Sequence, residues 1–348
     1  MDIALLIPTL NRPDFLLRAL HYYDSVNYRG YILIGDSSKA TIADNFIKDL
    51  HEFNNRLKIC YYPLPGYNGG QAIKFLAGKA TTKYVAFVAD DDFLVPSGIG
   101  RCIEFLDDNP DYVAAQGVFI AVGMHSIDSQ SIQYTNYCPQ PIISGTTAAQ
   151  RLVSHLTNYS PNGFSVHRIE AWRAMFKDGE DIADTSFGSE LLHSCLSVIL
   201  GKTKQLEGLY SIRQGHENRY WLPSWFDWIT NKSWYPGYIA FRQYLADAIV
   251  NQDKTTMEEA KAIVSHAFSI YLGKWISRSI NSPNSDRNWR SIARQIPGAR
   301  TIAHVMQSVL NKAFNDDEYY WTNMIKPKSP YYKDFMPIYR VLTRNRPT

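Results

Sequence analysis

The sequence predicts an α/β protein: a doubly wound, mostly parallel sheet over residues 1–225, followed by a mostly helical region over 226–348. Two observations predict it. Short apolar runs alternate with amphipathic helical patterns through the first 120 or so residues, which implies right-handed βαβ units and a sheet covered on both faces. Polar and glycine-rich clusters follow the first four of these runs, on the edge where ligands bind in such sheets. Composition agrees. With 348 residues, 45% hydrophobic and 20% charged, the chain is large enough for one big domain and a smaller one, and too apolar for extended disorder. A net charge of +3 gives no argument for a nucleic-acid partner, and no DNA- or RNA-binding signature occurs.

Taken in order, strands are expected over 3–7, 31–34, 57–62, 84–89 and 112–115, with helices over 14–23, 42–53, 71–80 and 97–106. The middle third is less regular, with helices over 146–156, 170–176 and 188–200, a strand over 164–166, and another over 206–213 that runs into a polar stretch. From residue 234 the pattern turns helical, and Thr255 with Glu258 reads as a capping box opening a long helix to 280. The first apolar run is stopped by Pro8 after a strand's length, so it reads as a strand and not as a signal peptide. No apolar stretch approaches twenty residues, which points to a cytosolic protein with no membrane span. Cys60, Cys102, Cys138 and Cys195 lie far apart with no C-x-x-C pair, and read as buried thiols.

The chemistry gathers after the strands. Asp90, Asp91 and Asp92 follow a run apolar enough to be buried on both faces, and three adjacent carboxylates repel one another. A hard divalent cation, manganese or magnesium, would neutralise them and complete its shell with substrate phosphates. A solvated acidic turn is the competing reading. Asp36 ends the second strand, where it either accepts hydrogen bonds from a nucleotide's base or ribose or closes a local turn. No G-x-G-x-x-G follows the first strand and no Walker A sequence occurs, which argues against a dinucleotide cofactor.

Ile7-Pro8-Thr9-Leu10-Asn11-Arg12, Gly35-Asp36-Ser37-Ser38, Asn68-Gly69-Gly70 and Asp90-Asp91-Asp92 together resemble family 2 glycosyltransferases of the GT-A fold, over residues 1–220 or so. The resemblance implies nucleotide binding by Pro8, Thr9, Asn11, Arg12, Asp36, Asn68, Gly70 and Asp91, and metal binding by Asp90 and Asp92, with Asp91 as the alternative ligand. Ala89 stands where many relatives carry a further aspartate. Inverting members place a general base at the start of a downstream helix; Glu190 matches first and Asp184 second, against the plainer reading of Glu190 as a favourable charge in a helix's first turn. His216 with Arg213 or Arg219 resembles the downstream pair that completes the metal or phosphate site, the imidazole toward the metal and the arginines toward phosphate.

The expected function is therefore a metal-dependent, inverting transfer of a sugar from a nucleotide-diphosphate donor, UDP by resemblance, to a glycan, lipid-linked or other glycoconjugate acceptor. A sugar-phosphate nucleotidyltransferase is the second enzyme reading, disfavoured because Leu10-Asn11-Arg12-Pro13 is a poor match to the glycine-rich loop such enzymes carry after strand one. A degenerate domain acting as a scaffold or glycan-binding module is the third. Residues 326–346 mix Lys326, Lys328, Lys333, Arg340, Arg344 and Arg346 with Tyr331, Tyr332, Phe335 and Tyr339. Such a tail either touches an anionic membrane surface at the inner face or packs its aromatics on its own domain.

Overall fold

The computed structural model describes residues 1–124, 132–137, 141–177, 179, 182–216, 223–281 and 324–344. The first half alternates strand and helix: β1 (Ile3–Thr9), α1 (Pro13–Ser25), β2 (Tyr31–Asp36), α2 (Ala40–Leu50), β3 (Lys58–Pro63), α3 (Gly69–Lys79), β4 (Tyr84–Phe87), β5 (Phe93–Leu94) and α4 (Pro96–Asp108). Then come β6 (Tyr112–Met124), β7 (Ile132–Tyr137), α5 (Ala148–Thr157), β8 (Val166–Arg168), α6 (Ile169–Met175), α7 (Leu192–Leu200) and β9 (Lys202–Gly215). Among the described residues the last helices are α8 (Trp225–Ile229), α9 (Trp234–Asp253), α10 (Met257–Asn281) and α11 (Tyr332–Arg344).

One sheet runs β3-β2-β1-β4-β8-β6-β9-β5, with β7 on β6. Its first four strands are parallel, as the alternation predicts, and β6 runs parallel to β9. β8 is antiparallel to both β4 and β6, which joins the two parallel groups into one mostly parallel sheet. β1 shows the two-residue period directly. Ile3, Leu5 and Ile7 face one core with α1 and α4, while Ala4 and Leu6 face another with Leu76 of α3 and Trp172 of α6.

A third core joins α5, α7, α9 and α10 around Phe187, Phe241 and Phe268. The described C-terminal helices accordingly pack on two different cores. α11 returns to the first core through Phe335, Ile338 and Leu342, and Ser97 at the start of α4 donates to Asp334 at 2.9 Å. This decides the tail question for its aromatic face: Phe335 and its apolar neighbours pack on the protein, while Lys326, Lys328, Lys333 and Arg340 are exposed. Arg346 lies outside the described residues.

Several boundaries differ from the sequence reading, each for a local reason. β4 stops at Phe87 because the chain turns through the aspartates, whereas β6 extends far beyond 115 along β9. The capping box uses Thr256 and Glu259, not Thr255 and Glu258: Glu259 N donates to Thr256 Oγ1 at 3.2 Å, and Thr256 N donates to Glu259 Oε2 at 3.1 Å. Cys60, Cys102 and Cys195 are free thiols, and burial pushes the latter two well above the usual thiol range. Cys138 lies outside the described residues. No described helix is long and apolar enough to cross a membrane.

Candidate active site

Asp90, Asp91 and Asp92 occupy the turn between β4 and β5. β5 pairs antiparallel with β9 at Ile212, and this places Asp92 Oδ1 3.0 Å from the backbone N–H of Gln214. The loop after β1 approaches from the other side. Thr9 Oγ1 donates to Asp90 Oδ2 at 2.8 Å, and the Arg12 guanidinium reaches Asp90 Oδ1 at 2.8 Å and Asp91 Oδ2 at 2.6 Å. Phe15, one turn on in α1, holds this arrangement with its ring: Arg12 lies over it at 4.3 Å and the His216 imidazole stacks on it at 4.7 Å. His216 Nε2 sits between an acceptor and a donor, 2.8 Å from Asp91 Oδ2 and 3.1 Å from Arg12 Nη2. Arg213 Nε lies 3.6 Å from Asp92 Oδ2.

The three carboxyls are not equivalent. Burial pushes Asp90 up to about 6, against the pull of Arg12 and the Thr9 hydrogen bond. Burial would raise Asp91 as well, but the hydrogen bond from His216 and the charge of Arg12 prevail and hold it below the usual carboxylate range. Arg18 lies behind the cluster, fully buried, with one nitrogen donating to the Gln214 side chain and its Nε and Nη1 without a partner. Burial lowers its pKa to about 10.

The nucleotide loops are tied to each other. Asn11 has a left-handed backbone, with φ 55°; its N–H donates to Ser38 Oγ at 2.6 Å and its side-chain oxygen accepts from Lys39 N at 3.1 Å. Asp36 Oδ1 accepts from Ser38 N and Oδ2 from the Tyr61 hydroxyl, both at 2.8 Å, so the turn-closing reading is realised on one oxygen. Pro8 pairs with Gly35 in the sheet register. Asn68 caps α3 in a reciprocal box with Gln71, and Gly70 follows inside that first turn. These residues build the loops rather than line the cavity.

That cavity measures about 1200 Å³ and opens between the strand ends and the helical region. Arg12, Asp91, Asp92 and Arg213 line one part of its wall, and Tyr159, Glu190, Tyr271 and Trp275 another. Glu190 does not start α7 itself. It sits in a π-helical turn, Ser186–Leu191, that leads into α7, and Tyr159 donates to its Oε1 at 2.9 Å. Asp184, the second candidate base, is buried and spoken for: it accepts from the N–H groups of Ser186 and Phe187, from Trp228 Nε1 at 2.9 Å and from Ser233 Oγ at 3.1 Å. Its role is to fix the π turn against α8 and α9.

The structure thus gathers Arg12, Asp91, Asp92, Arg213 and Glu190 on one cavity, with Asp90, Thr9 and His216 directly behind. Arg219 lies outside the described residues. Among the described residues no three His, Cys, Asp or Glu side chains converge on a point that would hold a metal ion unaided. Sequence reasoning missed Tyr159, Tyr271 and Trp275, which carry no motif, and Phe15, in the first turn of the helix that Arg12 precedes.

Residues 4–171 match the family described as Glycosyl transferase family 2. The chain carries a family 2 glycosyltransferase domain. Among solved structures, this chain is similar to S. aureus TarS 1-349 in complex with UDP-GlcNAc, at 14% identity and a TM-score of 0.53, covering 82% of this chain and 77% of that one. A further crystal structure of S. aureus TarS 1-349 gives 12% identity and a TM-score of 0.49, covering 82% and 75%. The mannosyltransferase PcManGT from Pyrobaculum calidifontis, in complex with GDP-Man and Mn2+, gives 10% identity and a TM-score of 0.38, covering 98% and 85%. At this identity the TarS likeness speaks for the fold alone. A search of curated proteins finds no match.

Proposed function

We propose that the protein transfers a sugar from a nucleoside-diphosphate sugar, UDP-linked by family resemblance, to a hydroxyl of a glycan, lipid-linked or other glycoconjugate acceptor, with inversion at the anomeric carbon. The observation that carries this reading is one cavity holding both a carboxylate and arginine cluster and, elsewhere on its wall, a carboxylate held in place by a tyrosine. The loops after β1 and β2, which Asn11, Ser38 and Asp36 tie together at the carboxyl edge of the sheet, border the nucleoside. Arg12 and Arg213 attract the diphosphate. Glu190 accepts the proton of the acceptor hydroxyl as that oxygen attacks the anomeric carbon opposite the leaving group.

A divalent cation fits the donor set on one condition. Arg12 engages Asp90 and Asp91 alike, but Asp91 and Asp92 line the cavity and Asp90 does not, so the metal reading moves from Asp90 and Asp92 to Asp91 and Asp92. Two carboxylates with diphosphate oxygens and water suit magnesium or manganese, which seldom need an all-protein cage. His216 would then orient Asp91 rather than bind the ion. When bound, the cation stabilises charge on the departing diphosphate.

Thermal shift with a panel of nucleoside diphosphates, with and without manganese, tests the donor, because a bound ligand stabilises the fold by mass action. Asp92→Ala is expected to abolish the manganese-dependent part of the shift while the protein remains folded. Full turnover in chelator would remove the metal from this account. Nuclear magnetic resonance of the product's anomeric proton reads the stereochemistry, and a retained configuration would take Glu190 out of the base role.

A further inference from the structure

The α10 side of the cavity carries chemistry that donor binding does not use. Tyr271, Lys274 and Trp275 stand at helical spacings of three and four, so a single face of α10 delivers two rings and one ammonium group to the cavity wall. The Tyr271 and Trp275 rings are stacked with centroids 6.1 Å apart and planes at 29°. Each is braced from behind, Tyr271 by the edge of Tyr159 at 5.0 Å and Trp275 by Trp228 at 5.2 Å. Burial and then the Glu190 charge raise the Tyr271 phenol, so these rings stand beside the carboxylate assigned to the acceptor's proton. Lys274 is exposed, and its one hydrogen-bond partner among the described residues is Asn158 Oδ1, at 3.5 Å. It has no carboxylate partner among those residues. All three side chains lie outside the matched stretch 4–171.

We propose that α10 selects an acceptor sugar that carries an anionic group, a phosphate or a carboxylate: the sugar ring packs on Trp275 and Tyr271, and the anion pairs with Lys274. This rests on the transferase reading above. The apolar C–H face of a sugar ring buries area against an aromatic face, and the rings are rigid enough to offer it at little entropic cost. The ammonium supplies a charge-assisted hydrogen bond, stronger than a neutral one, and an acceptor without an anion would leave it only the distant Asn158 carboxamide. The nearby Glu190 carboxylate disfavours an anion placed at the reacting hydroxyl itself, so the charged substituent belongs on the Lys274 side of the ring.

The test fills the donor end first with whichever nucleoside diphosphate stabilises the protein most. Hexose 6-phosphates, hexuronates and neutral methyl hexosides are then titrated, with tryptophan fluorescence and calorimetry as readouts. At least one anionic series is expected to bind roughly tenfold more tightly than its neutral counterpart, about the worth of one charge-assisted hydrogen bond. Lys274→Ala should remove that preference and Lys274→Arg should keep it, and the two anionic arms tell phosphate from carboxylate. Equal binding of anionic and neutral sugars, no binding in either anionic series, or a preference that survives Lys274→Ala overturns the proposal. If no nucleoside diphosphate stabilises the protein, it is the transferase reading that falls; the same titrations without nucleotide still decide the role of Lys274.

Discussion

At the scale of single residues, the cavity separates two kinds of carboxylate. Asp90 and Asp184 are hydrogen-bonded away from the cavity and so hold structure, whereas Asp91, Asp92 and Glu190 line the space where substrate would sit. If Glu190 acts in proton transfer alone, Glu190→Gln keeps nucleotide affinity and lowers the rate by roughly two to four orders of magnitude, measured by calorimetry and initial rates. Wild-type turnover in that variant would leave the base unassigned, since Asp184 has no free oxygen to offer. Tyr159 is a positioning residue for the same carboxylate. Its hydrogen bond orients Oε1, so Tyr159→Phe should lower kcat several-fold with donor KM unchanged. An unchanged kcat would reduce Tyr159 to packing.

At the scale of elements, the π turn Ser186–Leu191 is what brings Glu190 to the cavity, and its neighbours hold it there. α9 packs against this turn at Gly237, where an added Cβ would lie 2.9 Å from Asp184 Cβ and 3.1 Å from Phe187 Cδ2. Neither side chain can yield, because Asp184 is fixed by four donors and Phe187 is fully buried. Gly237→Ala is therefore expected to cost about 1–3 kcal/mol in denaturant unfolding and to lower activity by displacing the turn. Unchanged stability would mean that α9 is free to slide outward. The sequence showed a helix over 188–200 but not its irregular start, because a single inserted residue leaves the apolar pattern of the following turns intact.

At the scale of the whole molecule, three histidines are held neutral in the interior. Burial lowers His155, His167 and His193 to about 4, with their ring nitrogens facing Ser194 Oγ, Ser197 Oγ and the Met175 carbonyl among others. Unfolded, each would titrate near the ordinary value of about 6.5, so between about 4 and 6.5 the unfolded chain binds more protons than the folded one. Stability should therefore be full above about pH 6.5 and fall steadily as pH drops toward 4, followed by the unfolding midpoint in a pH series. His167→Gln should flatten that slope, and a midpoint indifferent to pH between 7 and 5 would show that these rings are hydrated. α11 adds a second whole-molecule feature: the last described helix belongs to the first core, so β1 and α11 lie in one packed unit.

What the sequence determined by itself is whatever is written locally. Alternating apolar runs set β1 to β4 and their helices, because a strand's period of two and a helix's period of 3.6 are read from neighbouring residues. The polar clusters after those strands located the site for the same reason, since parallel strands must present their carboxyl ends on one edge. Only the tertiary structure decided which of the three adjacent aspartates line the cavity, because a turn aims consecutive side chains in different directions, Asp91 and Asp92 to the cavity wall and Asp90 toward Thr9. Asp36 and Asn68 fitted both a ligand and a local turn by residue type, and it took the backbone to show the turn realised at each. Tyr159, Tyr271 and Trp275 had no signal at all: their meeting with Glu190 depends on α5, α7 and α10 packing together across more than a hundred residues of chain, a contact that no local period encodes.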